Sequence, residues 1–118
     1  MPGRFPLFTD NHIRQALIEG LRRCGWDVVR AIDVFRENED DRVLMAWAAE
    51  QGRVFVTNDK GIHRIAKEWV EAGRTFRMIF WKQLHNRRMS TGDFIRRLED
   101  LAREDEPFPY AIRYITPH

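Results

Sequence analysis

The chain has 118 residues, 43% of them hydrophobic and 32% charged, with a net charge of +2. That mix excludes a disordered chain, the single Cys24 excludes an internal disulfide or a cysteine metal cluster, and no apolar run nears the roughly 20 residues of a membrane span. One domain over residues 1–118 is expected, and with no signal-peptide pattern at its start the expected location is the cytoplasm.

Phe5 to Thr9 is a short apolar run that predicts a strand ending at Asp10. From Asn11 the period changes. Ile13, Ala16, Leu17, Gly20, Leu21 and Cys24 fall on one helical face, which Gly25 terminates, and Cys24 is expected as a buried thiol. Trp26 to Ile32 predicts a second strand and Asp33 to Glu39 an acidic loop. Asp40 is placed to cap a helix that is apolar nearly all round from Val43 to Ala49, so that helix is expected to be buried.

After Gly52, the β-formers Val54 to Thr57 predict a third strand that runs into Asn58 and Asp59. Gly61 to Gly73 carries a helical stripe at Ile62, Ile65, Ala66, Trp69 and Val70. Phe76 to Trp81 predicts a fourth strand, in which Phe76, Met78 and Phe80 alternate toward a core. Lys82 to Arg88 is a basic loop. Ser90 or Thr91 then caps a helix with its stripe at Phe94, Ile95, Leu98, Leu101 and Ala102, and Ala111 to Ile115 predicts a last edge strand. Alternating strands and helices of these lengths imply an α/β fold, a three-layer α/β/α sandwich around a mainly parallel sheet.

Charge is segregated along the chain. Asp33 to Asp41 holds five acids and one base, whereas Arg74 to Arg88 holds five bases and no acid. In a parallel sheet the first and third strands can be neighbours, which would bring Asp10 and Asp59 together at the edge where ligands bind. Two unit charges about 4 Å apart repel by about 4 kcal/mol at an effective dielectric of 20, so such a cluster calls for a cation or a shared proton. Mg²⁺ or Mn²⁺ suits an all-oxygen donor set and would supply phosphodiester hydrolysis. Each aspartate taken singly also fits a helix cap. In the basic loop, Lys82, His85, Arg87 and Arg88 are the candidate contacts to the phosphates of single-stranded nucleic acid.

The order and spacing of Leu7-Phe8-Thr9-Asp10, Gly25-Trp26-Asp27-Val28-Val29, Asp40-Asp41-Arg42-Val43-Leu44 and Gly52-Arg53-Val54-Phe55-Val56-Thr57-Asn58-Asp59 resemble the PIN-like proteins of the DUF5615 group. Those are small relatives of the PIN-domain ribonucleases, a superfamily that includes the VapC toxins. The resemblance implies a divalent-metal-dependent endoribonuclease, with an antitoxin protein as partner and a homodimer as assembly. It implies catalytic and metal-binding roles for Asp10, Asp40 and Asp59, with Asp41 as the alternative to Asp40. Thr57 would orient the site, with Asn11 and Asn58 flanking it. The chain departs from the group at Asn11-His12, where Glu-Asn is usual, and at Gly61, where another Asp often stands. His63 is then the nearest polar substitute. The missing acid keeps a rival reading open: a non-catalytic PIN-like module that acts through a protein or RNA partner.

Overall fold

The computed structural model describes residues 3–82 and 89–116. Five strands, β1 (Leu7–Thr9), β2 (Val28–Arg30), β3 (Val54–Thr57), β4 (Met78–Phe80) and β5 (Ile112–Tyr114), form one sheet in the order β2-β1-β3-β4-β5. Every pairing is parallel, and Leu7, Phe8 and Thr9 lie opposite Val28, Val29 and Arg30 on one side and Val54, Phe55 and Val56 on the other. The chain winds outward from β1 to β2, crosses back to β3, and continues to β4 and β5. The reversal falls between β1 and β3, and in open α/β sheets that crevice, at the carboxyl ends of the strands, is where ligands bind.

The five helices are α1 (Gln15–Arg23), α2 (Ala31–Val34), α3 (Asp41–Glu50), α4 (Lys60–Glu71) and α5 (Thr91–Arg103). They cover both faces of the sheet because its central strands are apolar on both sides. Leu7, Val54, Val56 and Ile79 pack with Leu17, Ile18 and Leu21 of α1 and Phe94, Leu98 and Leu101 of α5. Phe8, Phe55 and Met78 pack on the opposite face with Leu44, Met45 and Ala48 of α3 and Ile62, Ala66 and Trp69 of α4. Burying each such Phe or Leu contributes roughly 1.5–3 kcal/mol relative to exposure, so both helical layers are held by their apolar stripes. At the amino ends of the strands, Arg53 donates to the Leu7 carbonyl and to the Asp27 carboxylate, which ties β1, β2 and β3 together.

Four sequence expectations change. The second strand stops at Arg30, because Asp33 accepts from the Arg30 backbone N–H and guanidinium and turns Ala31–Val34 into the short helix α2. The first helix starts only at Gln15, so Ile18 is buried while Ala16 faces solvent. Cys24 is exposed. It lies one residue past the last helical turn, where Gly25 at φ 93° swings the chain away from the stripe. Finally, α3 is buried on one side alone: Val43 is 42% exposed, as Val70 of α4 is 51% exposed, both outside the face that meets the sheet.

Candidate active site

Asp10 follows β1 directly and is 3% exposed, an unusual setting for a carboxylate. Thr57, the last residue of β3, is its partner: the Thr57 hydroxyl donates to Asp10 Oδ2, and the His12 backbone N–H donates to Oδ1 at 3.1 Å. The same Thr57 oxygen accepts the Asp59 backbone N–H at 3.1 Å. One hydroxyl therefore couples the ends of two adjacent strands and fixes the distance between their aspartates. Parallel pairing makes this geometry obligatory, since Thr9 lies opposite Val56 and the next residues of each strand emerge side by side.

Asp59 caps α4 and accepts from the Gly61 N–H at 2.7 Å. Its second oxygen, Oδ2, lies 3.9 Å from His12 Nε2. Both readings of this residue thus hold together: it is a cap, and its free oxygen faces the crevice. Gly61 serves that arrangement, because a Cβ at position 61 would lie 3.2 Å from Asp59 Oδ1 and crowd the cap.

The mid-chain pair divides its work. Asp40 is exposed and caps α3 by accepting from the Arg42 N–H at 2.8 Å. Asp41, in the first turn of α3, lines the cleft with Asp10, His12, Glu39 and Asp59. The structure therefore sets Asp41, the alternative, in the cleft, and gives Asp40 a capping bond instead. The cleft has a volume of about 470 Å³. Its apolar wall is Leu44 of α3 and Ile62 of α4.

Electrostatics tie the acids to one another. Burial raises the pKa of Asp10 above the ordinary aspartate value; the bonds from Thr57 and His12 oppose that rise and the charge of Asp59 adds to it. The Asp41 carboxyl is also raised, first by burial and then by the charges of Asp59 and Asp40, with His12 opposing. Burial is the main reason both carboxyls hold their protons more tightly, and the neighbouring Asp59 charge adds to it in each case.

Asn11 lines the same cleft and donates to the Glu37 carbonyl at 3.1 Å, and Asn58 is buried between Thr57 and Asp59. His63 sits elsewhere. Its ring stacks on Phe80 at 4.3 Å and bonds the Tyr114 hydroxyl at 2.9 Å, beside β4 and β5, so it does not replace an acid at position 61. Burial and the charges of Lys67 and Lys82 lower its pKa, which favours the neutral ring. Lys82 is exposed just after β4, while His85, Arg87 and Arg88 lie outside the described residues. The aromatic side chains of that region, Phe76, Phe80 and Trp81, are core. His12, Glu37 and Glu39 are polar cleft residues outside the expected site set; the signal for His12 is adjacency to a strand-terminal aspartate, and that for the glutamates is the acidic loop before α3.

The carboxylates facing the cleft are oxygen donors, the kind that hard divalent cations take. Among the described residues no three His, Cys, Asp or Glu side chains are gathered closely enough to hold one ion directly. Mg²⁺ retains several waters and binds through one or two carboxylates, so Asp10, Asp41 and Asp59 are the cleft residues that could hold it.

The sequence profile of a family described as PIN like domain matches residues 6–82, more than half of the chain. The chain belongs to the PIN-like domain family. The matched segment runs from the start of β1 to the end of β4 and takes in Asp10, Asp40, Asp41, Thr57 and Asp59, whereas α5 and β5 lie outside it. No curated protein and no solved structure matches the chain. Among the described residues, no helix is long and apolar enough to cross a membrane.

Proposed function

We propose that this PIN-like domain is a divalent-metal-dependent endoribonuclease that cleaves single-stranded RNA at the cleft between β1 and β3. The observation that carries the proposal is the coupled set of acids at the topological switch point: Asp10 and Asp59, joined through Thr57, with Asp41 facing them. Mg²⁺ or Mn²⁺ held by Asp10, Asp41 and Asp59 would, when bound, lower the pKa of a water and offset charge on the phosphoryl oxygens. The chain's own contributions are positional. Thr57 holds the Asp10 carboxylate in one rotamer, the Gly61 N–H holds Asp59, and Leu44 and Ile62 exclude water from one wall. His12 stands over Asp59 at the mouth, where its imidazole N–H can donate to a phosphate oxygen. Lys82, with His85, Arg87 and Arg88 beyond it, supplies positive charge for the RNA backbone.

Narrower kinship with the DUF5615 group, a toxin role with an antitoxin partner, and a homodimer are supported by the motif resemblance alone. The test is cleavage of a labelled single-stranded RNA with Mn²⁺ by purified protein, with Asp10→Asn and Asp59→Asn prepared identically. Loss of cleavage in both variants supports the proposal, and cleavage equal to that of the parent protein sinks it. A second reading, a non-catalytic module that binds a protein or RNA partner, is favoured by the ungathered acids and by Gly61. Under that reading calorimetry registers no Mn²⁺ heat while a stable partner is recovered.

A further inference from the structure

Beside the acidic cleft, on the β2 side of Asp10, lies a second hollow of about 340 Å³. Its walls differ in kind from those of the cleft. Ile13, Ile18 and Ile32 supply an apolar surface, and Gln15 and Arg30 supply polar groups beyond those it shares with the cleft. Ile32 is 43% exposed, although its neighbour Ala31 is fully packed. The Arg30 guanidinium is locked in place: it bonds both oxygens of Asp33 at 2.8 and 3.1 Å and the Gln15 side-chain oxygen at 2.8 Å. With its oxygen so occupied, the Gln15 amide keeps its NH₂ as a donor, held by Glu19 at a long 3.5 Å. Asp10, Asn11 and Glu37 line both hollows, so the two are lobes of one depression that meet at Asp10.

We infer that this lobe is a nucleobase subsite, in which an unpaired base next to the scissile phosphodiester lies against Ile32 and the fixed Arg30 plane while the Gln15 NH₂ meets an acceptor on its edge. The inference rests on the hydrolytic reading of the acidic lobe and names the part of the substrate that the acids do not touch. Flat guanidinium and aliphatic surfaces take unstacked bases, and a donor amide discriminates among base edges. Among the described residues that line the lobe the cation is Arg30, already paired with Asp33, which disfavours a second phosphate there. Because the two lobes meet at Asp10, a base in this lobe would have its own phosphate nearest the acids.

The test uses wild-type protein in EDTA, where binding is separated from cleavage, and 2′-O-methyl oligonucleotides that resist hydrolysis. Fluorescence anisotropy compares single-base oligomers with an abasic strand of equal length. The base-containing strands are expected to bind about tenfold more tightly, the equivalent of one stacked base. Ile32→Glu, a surface change whose folding is checked by thermal melting, should remove most of that difference, and Gln15→Ala should alter the ranking among bases. Equal binding of abasic strands, or both variants retaining the wild-type preference, overturns the subsite. If wild-type protein cleaves RNA with Mn²⁺ yet shows no base preference, the subsite alone falls. If it shows the preference but cleaves nothing, the subsite stands and the hydrolytic reading falls.

Discussion

Two threonines, both 0% exposed and ending neighbouring strands, should respond in opposite ways to the same substitution. Thr57→Val removes a hydroxyl that donates to the Asp10 carboxylate and accepts the Asp59 N–H. A hydrogen bond to a charged group contributes about 1.5–3 kcal/mol and a neutral one about 1 kcal/mol, and valine fills the same volume, so the expected loss is about 2–4 kcal/mol. Thr9 Oγ1, in contrast, is buried with no hydrogen-bond partner among the described residues. Thr9→Val deletes an unsatisfied hydroxyl and should stabilise the fold by about 1–2 kcal/mol. For a chain of 118 residues, with unfolding entropy of about 2.1 cal/mol/K per residue, 1 kcal/mol moves Tm by about 4 °C. Calorimetric melting should therefore place Thr57→Val about 8–16 °C below the parent and Thr9→Val about 4–8 °C above it. Equal shifts, or a Thr57→Val variant as stable as the parent, would refute the claim that one hydroxyl organises the site.

The acids carry further consequences. Because the folded pKa of Asp10 is raised, its contribution to stability is fully present below the unfolded value near 3.8 and is lost as pH rises through the folded value. Metal-free Asp10→Asn should then melt higher than the parent at neutral pH, with the gap closing in acid, and 1 mM-range Mn²⁺ should stabilise the parent alone. Since Asp10 and Asp41 are both raised, Mn²⁺ affinity measured by calorimetry should begin to fall at a higher pH than an ordinary aspartate pair would set. Asp40→Ala should cost about 1 kcal/mol by loss of the α3 cap and leave Mn²⁺ binding intact; Asp41→Ala should weaken Mn²⁺ binding with little cost in stability. The reverse result would assign the proposed metal role to Asp40 in place of Asp41.

Local pattern carried much of the fold. Strands buried on both faces appear as unbroken apolar runs, as in Leu7-Phe8-Thr9 and Val54-Phe55-Val56, and helices show the 3.6-residue stripes of Phe94, Leu98 and Leu101. Phe76, Met78 and Phe80 alternate in sequence, and all three are buried. Features decided by a single hydrogen bond or by distant pairing were not legible. Ala31-Ile32-Asp33-Val34 continues the strand pattern of Val28-Val29, and only the Asp33–Arg30 bonds coil it into α2. Asp40 and Asp41 are chemically identical neighbours, distinguished by which one meets the Arg42 N–H. The nearness of His12 to Asp59 and of Arg30 to Gln15 depends on β1 lying between β2 and β3, an order no local pattern encodes. Cys24 shows the limit of periodicity, which extends a stripe one residue beyond the helix that carries it.

The proposed metal site joins three carboxylates at the β1–β3 crevice around one divalent ion. A crystal soaked in Mn²⁺ and recorded at the manganese absorption edge tests it most directly. The expected result is one anomalous peak between Asp10, Asp59 and Asp41, with Thr57 still bonded to Asp10 and Asp40 still on its cap. A soaked crystal with no peak in that cleft, or with its manganese bound at Asp40 or at other acids, would contradict it.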